Sequence, residues 1–437
     1  MNSKIAAKIE YLEAEEKRLK AEKGAIGSQF KYLSRDTDAF FELKKEMQVN
    51  SENLKQTVLK LKELRKQAKI DKKELLEPVK PPFFEKTTEV FTGDIQYETY
   101  QPDNVPDAWW TFLERNSASF YHSKLFMSLL EKSFSLTAHT LIAFNKYNEI
   151  IGGLPLFVTK SALFGTFATS IPHVNYGGPI SPKINVCTGL MEQLPALCSQ
   201  LNVKNIQVRS LQKLGDWPVS TKKVSMLRAL QGDKQSFDAS IGAKVRAQAK
   251  KAEKSGPSIK FGSTELLNDF YKVFSQNMRD LGTPVYAKTW FENYLEMFPE
   301  ASEICVGCIK GTPVSCGFLT YHNNVAEIPW ASTLRKANRY DMNMWMYYQI
   351  LIRCIDRKFQ WFDFGRSTRE AGTFKFKRQW GAREFQHYWY NATRNGFELK
   401  EGLNPDNPKF KLPISIWKHL PVDVTNFIGP MVAKDLV

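Results

Sequence analysis

The strongest constraint on this 437-residue chain is a row of apolar side chains, seven residues apart, across its first 76 positions. The row runs Ile5, Leu12, Leu19, Ile26, Leu33, Phe40, Met47, Leu54, Leu61, Ala68 and Leu75. No proline occurs before Pro78, and Lys, Glu, Leu, Ala and Gln dominate the segment. A seven-residue repeat places one apolar stripe along a helix, and that stripe must pack against another helix. A second stripe is poorer, with Ile9, Phe30 and Val58 interrupted by Glu16, Lys23 and Lys44. At Ser34-Arg35-Asp36-Thr37-Asp38 the helical composition breaks. Ser and Asp compete with helical hydrogen bonds and cap a following helix well. The pattern predicts a helical hairpin over residues 1–76 that buries the row against itself.

This arm resembles the tRNA-binding arm of seryl-tRNA synthetases over residues 4–75, which implies tRNA as a partner. The heptads equally suit a dimerising coiled coil or a spacer, because they specify packing and not ligands. Pro78 and Pro81-Pro82 then make 77–95 a linker.

Beyond it the chain reads as α/β. Strand-like runs (Ala138–Phe144, Ile150–Leu156, Ile206–Val208, Ile304–Ile309, Cys316–Tyr321) alternate with amphipathic helices (Ala108–Glu114, Lys124–Ser133, Glu265–Asp280, Lys288–Phe298, Met342–Arg357). Gly152-Gly153 and Lys310-Gly311-Thr312-Pro313 read as turns of two similar hairpins. We expect one α/β unit duplicated, over 96–235 and 236–395, with 396–437 packing on the core.

Charge narrows the partners. Lys and Arg number 61 against 46 Asp and Glu, a net +15, which favours an anionic partner such as RNA, a phosphorylated lipid carrier or a membrane surface. No apolar run of about 18 residues predicts a membrane span. The charged N-terminus lacks the apolar stretch of a signal peptide, so a cytoplasmic location with reduced cysteines is expected. Cys305-x-x-Cys308 falls in a strand, where the two thiols face opposite sides, so no metal site is expected. No Walker A or G-x-G-x-x-G motif occurs, and no G-x-S-x-G elbow.

Three segments carry unusual residues. They are Ser170-Ile-Pro-His173-Val-Asn175-Tyr176-Gly177-Gly178-Pro179, then Lys244 to Gly256 with Asn277 to Tyr286, and Phe362-Asp363-Phe364-Gly365-Arg366-Ser367-Thr368 running into Gly372-Thr-Phe374-Lys-Phe376-Lys377. With Ile328-Pro329-Trp330-Ala331-Ser332 and Asn343, they resemble the FemAB-related acyltransferases, in particular the subgroup associated with exopolysaccharide and protein-sorting systems. The resemblance spans residue 96 to the C-terminus. It implies two tandem GNAT-like domains, and transfer of an acyl or aminoacyl group to an amine or hydroxyl on a lipid- or glycan-linked envelope precursor at the inner membrane face. The arm departs from the family, whose tRNA-using members carry a coiled coil inside the second domain. Phe374 replaces the family's usual Tyr.

Acyl transfer needs a positioned nucleophile, a path for its proton and a group that holds the oxyanion. Lys377 aligns with the family's motif lysine and is the candidate catalytic residue; a strand-end surface lysine is the plainer alternative. Phe376 would wall the donor. Arg366, after a short strand, suits a phosphate or carboxylate, or an ion pair with Asp363, Glu370 or Glu384. Asp363 reads as an orienting residue. His173, Asn175 and Tyr176, ahead of Gly177-Gly178, are candidate acceptor contacts. Lys244 and Arg246 on a basic helix, with Arg279, Tyr286 and Asn343, complete the candidate binding set.

Two donors fit. Ordinary GNAT enzymes use a Gly-rich loop to aim N–H groups at the pyrophosphate of acyl-CoA, and that loop is incomplete here. Aminoacyl-tRNA is therefore the preferred donor and acyl-CoA the alternative, with no tightly bound cofactor. A degenerate acyltransferase core on a coiled-coil dimeriser is the non-enzymatic reading. The C-terminal stretch Lys409–Val437 can pack on the core or touch lipid.

Overall fold

The computed structural model describes residues 3–35, 37–74, 81, 86–116, 119–230, 232–399 and 408–436, with side chains placed except at 3–7, 66–74 and 408–411. The chain forms two compact units, Met1–Lys80 and Pro81–Val437. Apart from Pro81 and 86–95, the predicted linker lies outside the described residues.

The first unit is a helical hairpin of α1 (Ser3–Gln29) and α2 (Asp38–Glu74). Thr37 caps α2, its hydroxyl accepting the Phe40 N–H at 3.3 Å. Leu19, Ile26 and Leu61 of the heptad row are buried. The pairing is antiparallel: Arg65 meets Glu13 at 2.7 Å, and the Asn50 amide donates to Glu22 at 3.2 Å. The second stripe is not the predicted one. In α2 it is Leu43, Asn50 and Thr57, all buried, while Val58 is 42% exposed. The row itself crosses the turn in phase, to Leu61, but its companion seam in α2 lies one position before the stripe counted from Ile9.

The second unit holds fifteen strands among the described residues. The first seven are β1 (Ile95–Tyr100), β2 (Thr137–Asn145), β3 (Ile150–Ser161), β4 (Gly165–Thr169), β5 (Ile206–Ser210), β6 (Val219–Ser220) and β7 (Lys223–Ala229). The remainder are β8 (Pro257–Gly262), β9 (Ser302–Ile309), β10 (Thr312–His322), β11 (Val325–Thr333), β12 (Trp361–Thr368), β13 (Arg383–Gln386), β14 (Tyr388–Thr393) and β15 (Gly396–Phe397).

They form two sheets of the same design. In one, β1 to β4 make an antiparallel meander, β5 joins β4 in parallel, and β14 closes the far side. In the other, β8 to β11 make the meander, β12 joins β11 in parallel, and β7 closes the far side. The duplication is thus visible in the pairing. The closing strands are exchanged: β7 comes from the first half of the chain and β14 from the second. The short strands stay with their own halves and pair the exchanged ones, β6 with β14 and β13 with β7.

Gly152-Gly153 is not a turn. Both residues lie inside β3, and a Cβ on Gly153 would come within 2.6 Å of the Trp109 ring. Glycine is there so that the helix Asp107–Asn116 can approach the sheet. Lys310-Gly311 is a turn, with φ of 50° and 76°.

An aromatic core joins the halves. Phe126 and Phe134 on the helix Lys124–Phe134 meet Trp290 and Tyr294 on the helix Lys288–Met297. Cys305 packs with Ile350 and Phe362, Cys308 with Phe270 and Val306, on opposite faces of β9. The C-terminal helices Pro408–Trp417 and Val422–Ala433 lie against the end of the helix Leu267–Leu281: Arg279 donates to the Leu420 carbonyl at 2.9 Å. Among the described residues no helix is long and apolar enough to cross a membrane.

Candidate active site

The site grows from the one parallel pair of the second sheet. β11 and β12 stay in register only over Val325↔Trp361, Ala326↔Phe362 and Glu327↔Asp363. Beyond that point they part. Pro329 has no N–H to give to the ladder, and Gly365 adopts φ of +77° at an irregularity in β12. The gap is a cavity of about 230 Å³, lined by Tyr121, His173, Asn175, Tyr286, Glu327, Trp330, Gly365, Arg366 and Lys377 among others. Two carboxylates, Glu327 and Asp363, therefore sit where the strands separate.

Glu327 is 7% exposed and accepts hydrogen bonds from the Tyr121 hydroxyl and, at 2.9 Å, from the Asn175 amide. Burial, then the nearby Asp363 charge, push its carboxyl well above the usual range. Asp363 is fully buried; one oxygen accepts the Gly365 N–H at 2.7 Å and the other has no partner among the described residues. Burial raises its carboxyl too, against the pull of Lys377.

Lys377 lies on the helix Gly372–Gln379, where it and Phe374 face inward while Lys375 and Arg378 face solvent. Its ammonium donates to the carbonyls of Gly365 and Arg366, both at 2.9 Å. An ammonium has three donors, so one N–H remains for a ligand. Burial lowers the Lys377 pKa below the ordinary lysine value, with Asp363 opposing the shift. A partly neutralised acid–base cluster at the edge of a cavity can accept a proton and hold an oxyanion.

The structure gathers five sequence candidates here: His173, Asn175, Tyr286, Arg366 and Lys377. His173 has a positive φ of 64°, its ring stacks on Phe134 at 4.0 Å, and its Nδ1 lies 3.3 Å from the Tyr286 hydroxyl. Burial pushes its imidazole down to about 3, so it is neutral. Arg366 forms no ion pair among the described residues; Arg369 pairs with Glu384 instead.

The other candidates lie elsewhere. Tyr176 packs against Tyr121 and His387 and borders a second cavity, of about 150 Å³, with Gly177 and Gly178. Lys244 is exposed on the helix Ala243–Glu253. Arg246 donates to the Asp238 and Ile241 carbonyls, closing the preceding helix. Arg279 is held by Leu420 and by Asp280, at 2.8 Å. Asn343 accepts from the Thr333 hydroxyl at 3.3 Å. Phe376 is half-buried against Tyr347. Tyr121, Glu327 and Arg209 were not singled out from sequence. Glu327 had a signal: it is the lone acid in the apolar run Val325-Ala-Glu-Ile-Pro-Trp, directly before the motif segment. Among the described residues no group of three or more His, Cys, Asp or Glu could hold a metal.

In structural comparison, FemX is similar over 67% of this chain and 96% of its own, at 10% identity and a TM-score of 0.48. A tandem GNAT protein from the clavulanic acid biosynthesis pathway covers 70% of this chain and 100% of its own, at 8% identity and 0.45. The L-PGS structure from Bacillus licheniformis covers 74% and 96%, at 13% identity and 0.42. No curated protein matches the chain in sequence. Residues 239–378, which carry Glu327, Asp363, Arg366 and Lys377, match the family model described as an acetyltransferase (GNAT) domain, and this part of the chain is a GNAT-like acyltransferase domain.

Proposed function

We propose that the protein is an aminoacyltransferase of FemAB type. The acceptor amine or hydroxyl attacks the donor carbonyl directly, with no covalent enzyme intermediate. The carbonyl electron pair moves onto oxygen, where the unclaimed N–H of Lys377 meets it. The acceptor's proton passes to Glu327. Collapse of the adduct breaks the bond to the leaving oxygen, which takes that proton back. Asp363 keeps Lys377 charged, and Asn175 and Tyr121 fix Glu327. The observation that carries this reading is the buried Lys377, two of whose donors are spent on backbone while it lines a cavity beside Glu327.

In this reading the donor is aminoacyl-tRNA, held in part by the basic helical arm, and the acceptor is a lipid- or glycan-linked envelope precursor met at the inner membrane face. The match of residues 239–378 to an acetyltransferase model favours acyl-CoA as the second donor. Mass spectrometry of tRNA, CoA esters and lipid-linked sugars that co-purify with the protein separates the two. Deleting 1–76 should abolish salt-sensitive tRNA binding and leave the core folded. Retained affinity, or CoA esters alone in the purified protein, would remove tRNA from the scheme.

A further inference from the structure

Beside the cavity lies a group of cations with no counterion among the described residues. Arg209, on β5, is 1% exposed. Its Nη1 donates to the Val174 carbonyl at 2.9 Å and its Nε to Gln207 at 3.0 Å, but Nη2 is buried with no acceptor among the described residues. Its guanidinium lies 4.6 Å from the centre of the Trp389 ring, directly across the strand pair. Arg366, from the other sheet, approaches the same ring at 4.8 Å. Arg366 sits in a recess crowded with protein yet stays open to solvent. Lys223, on β7, donates to Thr368 at 2.7 Å.

The charges act on one another. Burial, then Arg366, push Arg209 down to about 9. Burial, then Arg366 and Arg209, lower Lys223 and push the His387 imidazole to about 3. Among the described residues neither guanidinium has an ion pair, and no carboxylate opposes these shifts. Crowding like charges in a desolvated place is unfavourable unless an anion joins them. A guanidinium with free donors is shaped for a carboxylate or phosphate.

We propose that Arg366, backed by Arg209 across Trp389 and by Lys223, is a subsite for an oxyanion, phosphate or carboxylate, carried by the substrate next to its reacting group. The Arg366 carbonyl itself holds Lys377, so the anion lies about one side chain from the carbonyl under attack. The pyrophosphate of CoA, a full pantetheine arm from its thioester, does not meet that requirement. A phosphate of the tRNA terminus or an anion on the acceptor does. That the anion belongs to the substrate, next to its reacting group, rests on the proposed reaction; the subsite itself does not.

The test is titration of the full chain by calorimetry with inorganic phosphate, acetate, adenosine 5′-monophosphate and N-acetylglucosamine 1-phosphate, against sodium chloride at matched ionic strength. Saturable binding of phosphate or acetate is expected, weakened tenfold or more by Arg366→Gln and less by Arg366→Lys, whose point charge cannot bind in two places. Arg366 is solvent-facing, so the variant should keep its circular dichroism. Glu327→Gln, which leaves the Lys377 bond to the Arg366 carbonyl in place, should keep the binding, which separates this subsite from the catalytic reading. Preference for the nucleotide marks a donor phosphate; preference for the sugar phosphate marks the acceptor. Equal affinity in Arg366→Gln, or an effect matched by chloride, overturns the proposal.

Discussion

Replacing Lys377 with Met keeps most of the side chain's volume and removes its three N–H donors. Two of these hold the Gly365 and Arg366 carbonyls, and the third is assigned to the oxyanion. Losing one such donor costs about 10²–10³-fold in turnover, so Lys377→Met should lose at least that with its circular dichroism unchanged. Unaltered turnover would take Lys377 out of the chemistry. The pH profile follows from the shifts around it. Glu327 must be ionised to accept a proton, so activity falls as pH drops through its raised pKa, above the usual carboxylate range. Lys377 must be charged, so activity falls again as pH rises through its lowered pKa, below the ordinary lysine value. The expected curve is a narrow bell. Glu327→Gln should lower the rate about 10²–10⁴-fold and erase the acid limb; a variant that keeps the limb would show that another group titrates there. Lys377 could be singled out from its motif, and it does line the cavity. Glu327 was harder to read. Its partners, Tyr121 and Asn175, are 206 and 152 residues away in sequence, and only the fold brings them together.

Element type was legible wherever hydrophobic period and turn residues agreed. The run at 138–144 became β2, and that at 342–357 became the helix Met342–Asp356. Misreadings came where one residue type serves two ends. Gly152-Gly153 is close packing inside a strand, and the arm's second seam in α2 includes the polar Asn50 and Thr57, which a count of apolar residues passes over. The C-terminal helices turn one side to the core and leave the other exposed. Thr425, Gly429 and Ala433 are buried, with Gly429 against Val285. The opposite side leaves Leu412, Ile416, Phe427 and Met431 at 55–72% exposure, near the exposed Lys418 and Lys434. Apolar side chains beside cations suit the boundary of an anionic bilayer. Phe427→Ser with Met431→Ser should reduce sedimentation with anionic vesicles severalfold and leave the melting temperature nearly unchanged, since neither side chain is buried. Equal sedimentation of wild type and variant would assign this face to something other than lipid.

At the scale of the second unit, the reciprocal strand exchange decides how the molecule holds together. β7 lies between β13 and β12 in the second sheet, and β14 lies between β5 and β15 in the first. Neither half of the chain can finish its own sheet. Expressed alone, residues 81–235 would leave β5 as an open edge with unpaired N–H and C=O groups, and 236–437 would leave both β12 and β13 without their shared neighbour. The aromatic core adds to this, because Phe126 and Phe134 from one half pack on Tyr294 and Trp290 from the other. The cavity depends on the same union: Tyr121 and Asn175 come from the first half, and Glu327 and Lys377 from the second. Each half alone should therefore aggregate or lack a cooperative melt, whereas the two co-expressed should assemble into one species with a single transition and recovered activity. A half that melts cooperatively on its own would mean that the sheets are independent modules, and the shared cavity would then be a docking product instead of a consequence of the exchanged strands.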